Sequence, residues 1–346
     1  MYNPNDIAIP NGNFFGFPDA AENAEIVFLP VEWDATTSYR KGAAQGAEAI
    51  LEASLQLDFF DLDVENAWKT KITTAETIHN NNQKIGKIAD EIIVDLEKGR
   101  KIDTVKLNEV NAACSELNEK VYERSRAVLM GNEGTKWSKK IALIGGDHSC
   151  PLGLIRFLAE KNSNFGILHI DAHADLRHAY EGFIYSHASI MYNVLNEVKA
   201  VSQIVQVGLR DFSPDEYEFG QNSPRVKQFF DRKMREELFN GGNWHSICEK
   251  IVKSLPDKVY VSFDIDGLSP DNCPNTGTPV PGGMSYNEAV YLLKVLKQSG
   301  REVIGFDLCE VAPSRDGDEW DANVGARILY QLCLLCRKNL KCGGIV

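Results

Sequence analysis

The sequence predicts a three-layer α/β sandwich with a mostly parallel central sheet. Six short apolar runs mark its strands, at 26–29, 141–144, 165–170, 204–208, 259–263 and 303–306. Most are continuously apolar, as in strands covered by helices on both faces. Amphipathic stretches separate them, which is the alternation of an α/β fold. Finally, charged or imidazole groups follow the runs, at Asp147 and His148, at Asp171, His173 and Asp175, at Arg210 and Asp211, at Asp264 and Asp266, and at Glu310. Open parallel sheets bind ligands beyond the carboxyl ends of their strands. One edge of this sheet is therefore expected to carry the chemistry.

Along the chain, residues 1–24 are rich in Asn, Pro and Gly, with no basic segment followed by an apolar run. They read as a meander and not as a secretory signal. After the first strand, 83–96 and 105–129 carry helical periodicity with many charges. They predict a helical insertion around 61–130, packed on the sheet or on a neighbouring subunit. Ser149 with Pro151 suits a helix start. Ser285 with Glu288 makes a capping box that opens a helix through Leu296. Cys333 and Cys336 fall in a helix-like stretch at 327–340 without a second pair, so they read as core positions on one helix face. No Pro/Gly-rich linker divides the chain, and 1–346 reads as a single domain.

Composition narrows the function. The 346 residues are 43% hydrophobic and 25% charged, with formal net charge -12 and pI near 5.2. Nucleic acid and anionic membranes need basic surfaces, so neither is an expected partner. No run is long and apolar enough to cross a bilayer. The eight cysteines are scattered and fit a cytoplasmic chain that keeps its thiols reduced.

Asp171-Ala172-His173-Ala174-Asp175 is expected to run extended, so that alternate side chains converge. Asp264-Ile265-Asp266 is expected to repeat the device. Carboxylates crowded in this way repel one another and shift toward protonation unless a cation joins them. His148, Asp171, His173, Asp175, Asp264 and Asp266 supply four carboxylates and two imidazoles, which balance two divalent cations. An oxygen-rich set with a minority of imidazole suits manganese best, with nickel also compatible. Taken singly, Asp147 and His148 suit a helix cap, Asp264 and Asp266 a turn, and 171–175 a loop of ion pairs. Their joint placement at successive strand ends favours the metal reading.

Gly145-Gly146-Asp147-His148-Ser149, Asp171-Ala172-His173-Ala174-Asp175 and Ser262-Phe263-Asp264-Ile265-Asp266-Gly267 resemble, in this order, the three signature motifs of the ureohydrolases. That family includes arginase, agmatinase, guanidinobutyrase, formimidoylglutamase and guanidine hydrolases. Thr276-Gly277-Thr278-Pro279 with Gly282-Gly283 looks like its substrate loop. Asp34-Ala35-Thr36-Thr37-Ser38-Tyr39-Arg40 is closer to the agmatinase form of its early loop than to the arginase form. The resemblance covers about 25–327 and weakens over 61–140.

It implies an arginase-like fold, a homotrimer or homohexamer, and two bridged manganese ions. His148, Asp171, Asp175 and Asp264 would hold the first ion. Asp171, His173, Asp264 and Asp266 would hold the second. Asp175 would aim the attacking water, and Glu310 would pair with the guanidinium. Thr278 would line the substrate loop, and His187 would carry the proton. The expected activity is agmatinase-like cleavage of a guanidino or amidino C–N bond in a small cationic substrate, releasing urea or ammonia. Guanidine hydrolase and formimidoylglutamase are alternatives within the family. Outside it stand a two-metal amidohydrolase or deacetylase and a metal-binding scaffold without activity. Arg177-His178-Ala179-Tyr180, and Ser213 in place of an expected aspartate, depart from the arginase pattern for an amino-acid tail. Trp33 and Trp320 are further groups that would narrow the pocket.

Overall fold

The computed structural model describes residues 3–130 and 139–337. Its strands are β1 (Ile26–Glu32), β2 (Ile72–Thr74), β3 (Ile78–His79), β4 (Lys140–Ile144), β5 (Phe165–Ile170), β6 (Val201–Leu209), β7 (Val226–Phe230), β8 (Lys258–Asp264) and β9 (Glu302–Cys309). Between and after them run α1 (Gly46–Ser54), α2 (Asn82–Glu97), α3 (Thr104–Met130), α4 (Leu152–Ala159), α5 (Ile190–Glu197), α6 (Pro214–Asn222), α7 (Asp231–Phe239), α8 (Trp244–Lys253), α9 (Tyr286–Gln298) and α10 (Trp320–Cys336). The sheet order is β2-β1-β4-β9-β8-β5-β6-β7, with β3 also on β1, and every pairing is parallel.

All six apolar runs are strands, each as long as its run or longer. Three strands were not visible in the sequence. β2 and β3 are too short to carry a period, and β7, with Lys227 and Gln228, is a half-buried edge. Alternation along the buried strands separates two cores, which makes the three layers. Phe28, Ala142, Ile144, Leu168, Val261, Phe263 and Phe306 face α1, α8, α9 and α10. Leu29, Val31, Ile141, Leu143, Ile167 and Tyr260 face α2, α3, α4 and α5.

Local chemistry sets the helix ends. Ser285 and Glu288 form the expected capping box, each side chain accepting from the other's backbone N–H, and α9 runs two residues past Leu296. The expectation for Ser149 is corrected. Its hydroxyl and its N–H both donate to Asp147 Oδ1, and α4 starts only after Pro151. Cys333 is fully buried on α10, Cys336 is partly buried against the same core, and both are free thiols. The end of the expected 327–340 stretch, and Cys342, lie outside the described residues. Among the described residues no helix is long and apolar enough to cross a membrane.

The helical excursion is anchored where α3 crosses α4. A Cβ at Gly153 would stand 2.2 Å from Asn118 O and 2.8 Å from Tyr122 N, so only glycine permits this approach. Gly153→Ala is expected to lower stability by about 1–3 kcal/mol through overpacking. The urea midpoint measures this, and an unchanged midpoint would mean that α3 does not dock so closely.

Candidate metal centre and substrate site

The chain passes from β4 to β5 by jumping two places in the sheet, and β8 and β9 later fill the gap. Such a reversal opens a crevice beyond the strand ends. Asp147 and His148 follow β4, Glu310 follows β9, Asp264 ends β8, and Asp171 follows β5. Four adjacent strands thus deliver their polar ends to one place. His148, Asp171, Asp175, Asp264, Asp266 and Glu310 are all buried there.

His148 Nδ1 lies 3.0 Å from Asp171 Oδ2, 3.2 Å from Asp264 Oδ2 and 3.4 Å from Asp175 Oδ2. His173 Nδ1 lies 3.0 Å from Asp266 Oδ2 and 3.5 Å from Asp171 Oδ1. Backbone donors fix the second oxygen of three aspartates. Asp171 Oδ1 accepts from His173 N at 2.6 Å, Asp264 Oδ1 from Asp266 N at 2.8 Å, and Asp266 Oδ1 from Ala172 N at 3.0 Å. The remaining oxygens turn inward. His148 is fixed from behind, its Nε2 2.8 Å from Ser262 Oγ.

The backbone reaches this arrangement in ways that simple alternation does not foresee. Asp264-Ile265-Asp266 is not extended: Ile265–Gly267 is a 3-10 turn, and Asp264 caps it. The tight turn still brings both carboxylates to the same side. Asp175 has φ 52 and Glu310 φ 62, the left-handed region that side chains other than glycine seldom occupy. Such strain persists where the surroundings dictate it.

The electrostatics follow from burial. Burial disfavours charge on His148, yet Asp171, Asp175 and Asp264 outweigh it and lift its pKa well above the usual imidazole value. His173 is raised in the same way by Asp266 and Asp171. Burial and then the neighbouring Asp266 and Asp171 push Asp264 well above the carboxylate range. Burial and Asp171 push Asp175 to about 6. Asp171 goes the other way: burial would raise it, but His169, His148 and His173 hold it well below the carboxylate range. His148, His173, Asp175 and Asp264 thus bind protons tightly for want of other positive charge, and divalent cations supply that charge better. The cluster's donor atoms fit such ions. Those of His148, His169, Asp171 and Asp175 lie within 4.8 Å of one another, as do those of Asp171, His173 and Asp266, and Asp171 belongs to both groups.

His169 is the member that sequence reasoning missed. Its signal was present: it is a lone polar residue in an apolar strand, two positions before Asp171. Its Nε2 lies 2.8 Å from Asp171 Oδ2.

Glu310 stands beside the cluster. Its Oε1 accepts from His148 N at 3.0 Å, while its Oε2 is buried without a partner. Burial and the nearby Asp147 hold its pKa well above the usual value. A Cβ on Gly277 would lie 3.2 Å from Glu310 Oε2 and 3.5 Å from Thr37 Cγ2, so the absent side chain leaves room there. The Thr36 and Thr37 hydroxyls are buried and unpaired as well. Thr276 Oγ1 donates to Glu310 O at 2.8 Å, and Thr278 is partly exposed on the same loop. His187 follows Ser186 on a short turn, and its Nε2 lies 3.3 Å from Ser38 Oγ. Burial and the charge of His173 lower its pKa to about 3, so its ring is neutral.

Three of the groups expected near a substrate tail, Ser213, Arg177 and Trp320, have other partners. Ser213 caps α6 in a capping box with Glu216, and Arg177 Nε lies 3.4 Å from Glu216 Oε2. Trp33 is fully buried, and its Nε1 has no hydrogen-bond partner among the described residues. Trp320 is half exposed and donates from Nε1 to Asp271 O at 2.8 Å.

Residues 24–335 match the model of the Arginase family. The chain is 33% identical over 304 residues to the N(1)-aminopropylagmatine ureohydrolase of Thermus thermophilus, covering 87% of each. It is 32% identical over 201 residues to the guanidinobutyrase of Pseudomonas aeruginosa, covering 56% of this chain and 59% of that one. The solved structure of proclavaminate amidino hydrolase from Streptomyces clavuligerus superposes with a TM-score of 0.72 at 22% identity, covering 95% and 98%. From the strand ends to the order of its motifs, the chain belongs to the arginase (ureohydrolase) family.

Proposed function

We propose that this chain is an agmatinase-like hydrolase that cleaves a C–N bond in a small guanidinium compound, with two divalent ions held by His148, Asp171, His173, Asp175, Asp264 and Asp266. Bound there, the ions supply the positive charge that makes a water nucleophilic near neutral pH. Manganese is the ion we assign, on the oxygen-rich donor set. Cytoplasmic placement, which rests on the scattered free cysteines, and a trimer or hexamer, which rests on the family resemblance, belong to the same proposal.

The observation that carries the proposal is Glu310 Oε2, a buried carboxylate oxygen with no partner beside the cluster. A lone buried carboxylate is costly. A planar guanidinium relieves it with charge-assisted hydrogen bonds. Asp175, held by its left-handed backbone, orients the attacking water. His187, with Nε2 3.3 Å from Ser38 Oγ, is the group we assign to carry the proton to the leaving nitrogen. Thr278 borders the entrance. An α-amino-acid tail has no aspartate waiting for it, because Ser213 takes that place and is spent on capping α6. Arg177, the group suited to a glutamate tail, already faces Glu216. Both points favour a substrate without an amino-acid end. A panel of agmatine, guanidinobutyrate, guanidine, arginine and formimidoylglutamate, scored for urea, ammonia or formamide, tests the reading. Turnover of none of the guanidino compounds by the manganese-loaded protein would overturn it.

His148→Ala and Asp264→Ala are expected to lose bound manganese and activity together, read by metal analysis after dialysis. Two tightly held ions in both variants would refute the ligand set. Ligation requires unprotonated imidazoles. Because the aspartates hold the His148 and His173 protons well above the ordinary imidazole range, manganese affinity is expected to keep rising with pH beyond that range, and calorimetry should show proton release. Glu310→Gln is expected to keep both ions and to lose about a hundredfold or more in kcat/KM for the best guanidinium substrate, the scale of a charged pair at a reacting group. Unchanged kinetics would remove Glu310 from the site.

A further inference from the structure

The polar groups behind Asp171 form a one-way chain across three strands. His169 on β5, Gln206 on β6 and Gln228 on β7 are register partners, so their side chains share one sheet face. Gln221 Nε2 donates to Gln228 Oε1 at 2.9 Å, and Gln228 Nε2 donates to Gln206 Oε1 at 3.1 Å. Gln206 Nε2 lies 3.0 Å from His169 Nδ1, and His169 Nε2 lies 2.8 Å from Asp171 Oδ2. The chain begins at the exposed Gln221 on α6 and ends on the carboxylate shared by both donor groups.

Its direction follows from chemistry. Gln206 Nε2 also lies 2.6 Å from Ala174 O, and a carbonyl oxygen only accepts. That contact fixes which end of the Gln206 amide is nitrogen, and the bond from Gln228 to Oε1 agrees. The second hydrogen of Gln206 Nε2 then points at His169 Nδ1, which must offer a lone pair. A neutral imidazole carries one proton, so that proton sits on Nε2 and faces Asp171 Oδ2. An Nε2 that donates is no ligand. His169 is therefore removed from the ion-binding set despite its distance. By holding Ala174 O, Gln206 also pins the backbone of the 171–175 segment that carries three of the expected ligands. The pocket for this chain is built in: a Cβ at Gly220 would stand 2.6 Å from the Gln228 amide.

We propose that His169 is a positioning residue, fixed as its Nε2–H tautomer by Gln206, that aims the Asp171 carboxylate at the ions. The proposal rests on Asp171 being a ligand, as argued above. Three substitutions test it by manganese affinity, measured by competition with a chromophoric chelator, each checked by circular dichroism. His169→Phe is expected to weaken manganese binding about ten- to a hundredfold, the usual effect of losing a group that orients a ligand. His169→Gln keeps an N–H near the position of Nε2 and is expected to recover most of that affinity. Gln206→Leu leaves the ring in place but frees its tautomer, and is expected to fall between the two. In all three the number of ions bound stays that of the unsubstituted protein.

The outcomes separate the possibilities. If His169→Gln loses one ion outright, His169 is a ligand and the proposal fails. Should His169→Phe lower only the melting temperature, with affinity unchanged, the residue is merely structural and the proposal again fails. If His169→Phe does not fold, the order of His169→Gln and Gln206→Leu still decides, because Gln206→Leu binding as tightly as the unsubstituted protein removes the chain from any role. His148→Ala serves as control: if it too retains both ions, the ligand assignment has failed and not only the role of His169.

Discussion

Crowding of carboxylates beyond the ends of four central strands is the constraint on which this site depends. Asp171, Asp175, Asp264 and Asp266 are nearly inaccessible to solvent and close enough to share the same two imidazoles. Anions packed so tightly without water are unstable unless cations join them. Burial and neighbouring carboxylates raise Asp264 and Asp175, the imidazoles hold Asp171 low despite its burial, and the aspartates raise His148 and His173 against burial. A scaffold under such stress must be rigid. Here that rigidity comes from a sheet covered on both faces and from backbone N–H groups that grip the outer carboxylate oxygens.

The loops above the sheet are stitched with equal closeness. Gly146 N donates to Val31 O, Asp147 N to Trp33 O, and Glu310 N to Gly146 O, at 3.1, 2.8 and 2.9 Å. A Cβ on Gly146 would stand 1.6 Å from Trp33 O, so no other residue fits between the first and fourth strands' loops. This explains how Glu310 comes to lie against the His148 peptide. Glu310 and His148 are two ends of one hydrogen-bonded loop cluster, and the His148 N–H engages Glu310 Oε1 while Oε2 stays without a partner.

Much of this was legible in the chain, for physical reasons. Strands buried on both faces have to be apolar throughout, so the runs at 141–144, 165–170 and 259–263 declared themselves. The site residues were legible because they come as short motifs after those runs. What escaped were features whose cause lies elsewhere in the fold. β7 gave no apolar run because it is the last strand of the sheet and none of its residues is fully buried. The 3-10 turn at Ile265–Gly267 arises from Asp264 capping its own segment, which a period-two pattern does not encode. Ser149 has the composition of a cap but serves Asp147 instead. His169 was missed, since its meaning depends on Gln206 and Gln228, in strands that the sequence places 37 and 59 positions later.

The same electrostatics that favour a guanidinium also favour its departure. Glu310 is buried with Asp147, whose pKa burial lifts to about 7, so negative charge at this end of the pocket is expensive. A cationic substrate relieves the expense on entering. Cleavage of the C–N bond turns the planar cation into a neutral urea or ammonia fragment and an amine that leaves with the proton. If Glu310 pairs with the guanidinium as proposed, it would then face a product with no net charge and lose the attraction that held the substrate. On the proposed reading, the charged reactant would bind more strongly than the neutral product, because Glu310 Oε2 has no partner of its own. A pocket that satisfied Glu310 internally, for example with a neighbouring lysine, would be more stable and would no longer distinguish the two.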